Sequence, residues 1–242
     1  MRINPYHLII LGFIFCEMSV AEDLPPRLDS ATLASSSQVA SVPEAWQRRR
    51  AQFAKTVQSL QLNDTGARMA FDSVLTEFET APLDRTPLEN LDILGIFYVP
   101  KEGMEKTLPI IVMNQTLGWY DALRFGTESG RAEIVQREAF FKRPFVIAGP
   151  DAIKQMSTLM RDSPALVLAA IKEGQALAEK FKNDHPYDEH WPTAYGLERV
   201  ICAQGGSCET PLPMPKNQWP AAWQMAKQRI LDYYVPTRHL AQ

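Results

Sequence analysis

Apolar residues recur at helical spacing along most of this chain. Phe71, Val74, Leu75 and Phe78 stand at i, i+3, i+4 and i+7, the stripe of a helix that buries one side. Asn63 or Asp64 is placed to cap that helix. Ahead of it, Ser41 caps a helix with Pro43 in its first turn and Trp46, Phe53, Val57 and Leu60 on one face. Thr86-Pro87-Leu88-Glu89 has the form of a capping box with proline at the first position, and opens a further helix. The run Ile93–Val99 reads either as the end of that helix or as a buried strand, stopped by Pro100 in both cases.

Beyond it, Thr107–Pro109 opens a helix with Ile110, Met113, Leu117 and Tyr120 inward. Gly126 and Gly130 bound a loop, and a helix over about 130–142 carries Ile134 and Phe141. Gly149-Pro150-Asp151 starts one more, with Ile153, Met156 and Met160 inward. Ser163-Pro164 opens ALVLAAIKEGQALAEKF, almost free of helix breakers. A helix over 192–201 follows, then a proline-rich loop and a last helix opened by Pro220, with Trp223, Ile230 and Tyr234 inward. Short connections imply antiparallel neighbours. The pattern predicts an all-α, single-domain antiparallel bundle of about eight or nine helices over residues 43–242.

The N-terminus changes the picture of where this bundle folds. Arg2 precedes the apolar run Leu8–Cys16, and Ser19-Val20-Ala21 fits a small-residue cleavage site. That layout predicts a cleavable signal peptide over 1–21 and export to the periplasm. The run is too short for a bilayer, which needs about 20 residues. No other stretch approaches a span, so no stable membrane insertion is expected. Residues 22–42 are rich in Ser and Ala, hold Pro25-Pro26, and read as a flexible leader.

Removal of the leader takes Cys16 with it and leaves Cys202 and Cys208, a pair in an oxidising compartment. A disulfide across CAQGGSC contributes about 2.4 kcal/mol in the chain-entropy model. The spacing is too long for a C-x-x-C redox centre, and no further ligands stand at zinc spacing. A staple is the expectation for Cys202 and Cys208.

Charge and motifs narrow the function. The net charge of −3 argues against a nucleic-acid surface. Arg48-Arg49-Arg50 reads as a solvated helix face. No G-x-S-x-G motif is present; in Gly126-Thr-Glu-Ser-Gly130 the serine stands directly before the second glycine. No catalytic residue, cofactor or metal is expected. The most polar segment is Asn183–Trp191. His185 and His190 are five apart across Pro186, unlike the four-residue spacing of a helical metal pair. The segment instead mixes large aromatic area with charge, as binding surfaces do. Asp184, His185, Tyr187, Asp188, Glu189, His190 and Trp191 are the candidate partner contacts, joined by the loop 203–217. A peptidoglycan-active hydrolase of glycosidase type, with Glu128 or Glu198 as acid, is the alternative, and a periplasmic helical scaffold or adaptor a third. Asn114-Gln115-Thr116 matches a glycosylation sequon but falls in a core helix.

A cleavable signal, a small helical domain, one late cysteine pair and no assembled catalytic set occur together here. With Tyr195-Gly196-Leu197-Glu198 and the Trp219–Trp223 stretch, this profile resembles periplasmic immunity proteins of bacterial toxin systems, notably those paired with type VI secretion lipase effectors. No residue is carried over by position. The resemblance implies a stoichiometric inhibitor whose partner is a cognate toxin or effector protein, and which performs no chemistry.

Overall fold

The computed structural model describes residues 55, 75–76, 86–135, 138–184, 189–205 and 212–235. These are 87% helical, with no strand among them. The all-α expectation holds. The expected signal peptide, the leader and most of the helices before Thr86 lie outside the described residues. Within that stretch Lys55 is helical and exposed, while Leu75 and Thr76 are helical and Leu75 joins the core, as the stripe through Phe71–Phe78 predicts.

Helix α1 (Pro87–Ile93) begins at the predicted capping box. The Glu89 amide donates to Thr86 Oγ1 at 3.1 Å, and the Thr86 amide donates to Glu89 Oε2 at 3.1 Å. The ambiguous run that follows is helical throughout. Leu94–Tyr98 forms a π turn, where the Val99 amide reaches back to the Leu94 carbonyl, and Val99–Glu102 continues as α2. Pro100 does not stop the chain. It lacks an N–H and crowds the carbonyl four residues back, and a wider π turn just before it relieves that crowding.

After Gly103, α3 (Met104–Phe125) runs as the central rod. It starts earlier than Thr107–Pro109 suggested and holds Pro109 inside its first turns. α4 (Glu128–Ile134) and α5 (Glu138–Ala148) replace the single helix expected over 130–142. α6 (Pro150–Asp162) turns Ala152, Met156 and Leu159 inward; Ile153, expected inside, is exposed. α7 (Pro164–Asp184) is the breaker-free helix the sequence promised. The helix expected over 192–201 is two pieces, a 3₁₀ turn at Trp191–Ala194 and α8 (Leu197–Ala203). Gly196 separates them with φ 105°, a backbone setting that side-chain-bearing residues adopt at a cost. α9 (Trp219–Tyr234) closes the described chain with Trp223, Ile230 and Tyr234 buried.

The core lies along α3, which packs against α7 and α9. Three pairs fix the direction of α9. The Tyr234 hydroxyl donates to Gln115 Oε1 at 2.8 Å, Tyr120 meets the Trp223 ring, and Arg124 lies over the Trp219 ring. As α3 advances α9 recedes, so the two are antiparallel. Gln175 with Lys227, and Lys182 with Trp223, run the same way between α7 and α9. α7 comes very close to α3 at Gly174, where an added Cβ would lie 2.4 Å from the Pro109 carbonyl oxygen. On another side, α5 pairs with α6 and covers the π turn. Arg143 clamps Asp92 there with two hydrogen bonds, one of them 2.8 Å.

The expected sequon is shut inside. Asn114, Gln115 and Thr116 are fully buried, and each is hydrogen-bonded. Asn90 donates to Asn114 Oδ1 at 2.8 Å, Gln115 donates to the Phe141 carbonyl at 3.0 Å, and Thr116 donates to the Val112 carbonyl at 2.8 Å. Burial of such groups is tolerated because each has a partner.

Candidate interaction surface

Met113, Leu117 and Tyr120 mark the buried stripe of α3, and the same spacing carries it on to Arg124. A charged group therefore falls on the core side. Arg124 Nη2 donates to Asp121 Oδ1 at 2.9 Å and to Glu189 Oε2 at 2.6 Å. The guanidinium lies 3.6 Å from the Tyr120 ring centroid, 4.8 Å from that of Phe125 and 4.6 Å from that of Trp219. A buried cation is held only where carboxylates and π faces replace its water. Burial pushes the Tyr120 hydroxyl above its ordinary pKa, an effect that the Arg124 charge opposes.

This cluster sorts the sequence-predicted contact segment into parts. Trp191 has 0% exposure, and its indole donates to Asp121 Oδ2 at 2.8 Å. The expectation of an exposed aromatic contact at Trp191 is corrected: the ring is core, because α3 offers its N–H a buried carboxylate. Glu189 faces Arg124 and is half-buried, so its charge is spent inside the molecule. His190 is exposed, with its ring 4.3 Å from that of Phe125. Asp184 is the last residue of α7. His185, Tyr187 and Asp188 lie outside the described residues. A second strap reaches the same cluster from the C-terminal side. The Met214 amide donates to the Arg124 carbonyl at 2.6 Å, and the Trp219 indole donates to the Met214 carbonyl at 2.9 Å.

The surface that the sequence reading missed is on α8. Leu197, Val200 and Ile201 are 59%, 48% and 48% exposed. They stand at i, i+3 and i+4, on one face of the helix. Leu212, further along, is almost wholly exposed. On the opposite side of α8, Arg199 is buried. The start of α8 is pinned from another helix: Ser129 Oγ accepts the Leu197 amide at 2.8 Å. Gly196 packs so near Gly130 that an added Cβ would lie 2.8 Å from the Gly130 nitrogen. Thr127 caps α4 in turn, its Oγ1 accepting the Gly130 amide at 3.0 Å. Periodicity alone assigns an apolar triplet to the core; the turn at Gly196 rotates this one outward.

Glu128 and Glu198, the alternative acid candidates, occupy the first turns of α4 and α8. The Ser129–Leu197 hydrogen bond brings those two helix starts together. Both side chains are exposed, whereas a glycosidase acid sits in a dry cleft. Cys202 lies on α8 and is half-buried; Cys208 lies outside the described residues. No helix among the described residues is long and apolar enough to cross a membrane. No group of three His, Cys, Asp or Glu side chains among them is placed to hold a metal ion. Comparison with protein-family models, curated proteins and solved structures found no match.

Proposed function

We propose that this chain is an exported inhibitor, an immunity-type protein that binds and neutralises a cognate toxin without doing chemistry. The observation that carries the reading is the α8 face. Three neighbouring apolar side chains stand in water on a short helix whose position is fixed from behind. Exposed apolar area on a rigid mount is what a binding surface needs, since little order has to be gained on association. The contact region is centred on α8, with His190 as a contact retained from the 184–191 segment. Trp191 and Glu189 act behind it by holding the chain in place.

In this reading the leader is removed after Ala21, the protein works in the periplasm, and Cys202 pairs with Cys208 to brace the end of α8. A lipase effector is the toxin that the overall profile suggests. The test is co-expression with the product of the adjacent reading frame. A stable equimolar complex and loss of that product's toxicity support the proposal; a non-toxic neighbour that never co-purifies overturns it. Maleimide labelling of exported protein tests the staple separately, because two reactive thiols in the oxidised sample refute it.

A further inference from the structure

We infer that the α8 face docks a protein partner whose own surface is an apolar ridge edged with basic side chains. The inference rests on the inhibitor reading above and specifies its contact. Leu197, Val200 and Ile201 form the apolar stripe, and among the described residues of α8 and α4 the exposed charges are carboxylates. Glu198 follows Leu197 on the exposed side of α8. Glu128 opens α4, one residue before the Ser129 that receives the Leu197 amide. The cations of the two helices are withdrawn, Arg199 being buried and Arg131 half-buried. A complementary surface therefore carries Lys or Arg beside its apolar side chains.

The same charges count against a second copy of this chain. A two-fold interface places identical patches against each other, which would bring Glu198 and Glu128 of both copies to one seam. They also count against an anionic lipid surface, which attracts basic and not acidic faces.

Two synthetic amphipathic helices of about 15 residues serve as probes, with one leucine stripe flanked by lysines or by glutamates. Fluorescence anisotropy on the full chain reads the difference. The lysine-flanked helix is expected to bind about tenfold more tightly at low salt and to lose that advantage as salt rises. Glu198→Lys removes the preference, and Leu197→Ser with Ile201→Ser removes binding of both helices. All three positions are exposed, so circular dichroism melting reports an unchanged fold. Equal binding of the two probes, or binding indifferent to the substitutions, overturns the inference. So does a dimer in sedimentation equilibrium that Ile201→Asp dissolves, or binding to phosphatidylglycerol vesicles that the same change abolishes. If the probes behave as expected while the neighbouring product never co-purifies, the surface stands and the toxin partner falls. If the toxin is captured but the probes do not discriminate, the reverse holds.

Discussion

The α3–α9 seam and the α4–α8 corner both rest on bonds between residues far apart in sequence, yet they use them for opposite purposes. Along the seam, the Tyr234 hydroxyl of α9 and Gln115 of α3 pair in the interior, beside Asn114, held by Asn90 of α1, and Thr116, held by the Val112 carbonyl of its own helix. Those bonds offset desolvation, and the Tyr234–Gln115 bond ties α9 to α3. At the corner, Ser129 and the Gly130–Gly196 approach hold a short helix whose outer face is left in water. The Arg124 cluster lies between them and ties the 189–191 turn and the 214–219 strap to the rod. Stability and surface presentation are thus assigned to different residues, and substitutions separate them.

The largest effect belongs to the cluster. Arg124→Met leaves Asp121 and Glu189 without their cation, and a broken buried ion pair costs about 3–5 kcal/mol. The urea midpoint reports it; a change below about 1 kcal/mol would mean that the cluster contributes little to stability. Gly174→Ala comes next. Its methyl would meet the Pro109 carbonyl and Val112, and forcing α7 off α3 costs about 1–3 kcal/mol, despite the better helix propensity of alanine.

Tyr234→Phe is milder and depends on pH. At neutrality it costs about 1 kcal/mol, since Gln115 loses a partner. Burial raises the Tyr234 hydroxyl well above its ordinary value of 10.0. A raised folded value means that the stabilisation is complete below pH 10.0 and fades as pH climbs toward the folded value. The variant should show a flatter alkaline decline; a parallel decline in both proteins would refute the assignment. Smallest in stability is Ser129→Ala, which removes one accepted amide hydrogen bond at the exposed start of α8 and costs about 0.5–1 kcal/mol. Hydrogen exchange at the Leu197 amide should quicken while α3 amides stay protected, which is the clearest separation of corner from seam.

Much of the fold was legible in the chain. Thr86–Glu89 announces α1, Ser163-Pro164 opens α7, and Trp223, Ile230 and Tyr234 name the inner face of α9, because local capping and period suffice there. The site was less so. Trp191 beside charges reads as an exposed contact until Asp121, seventy positions earlier, takes its N–H. Arg124 was detectable as a cation on an apolar stripe, though its partner Glu189 was not.

The amino-acid sequence by itself determined that this is an all-α protein, and where most of its helices begin, because capping and amphipathic period act within a few residues. The tertiary structure decided which side chains stay in water. Pro100 follows a π turn and continues in α2 instead of ending the helix, and Gly196 at φ 105° turns Leu197, Val200 and Ile201 outward. The outcome at α8 depends on a close approach and a hydrogen bond between distant segments, Gly196 with Gly130 and Leu197 with Ser129, whose cost and gain exist only once the helices have met.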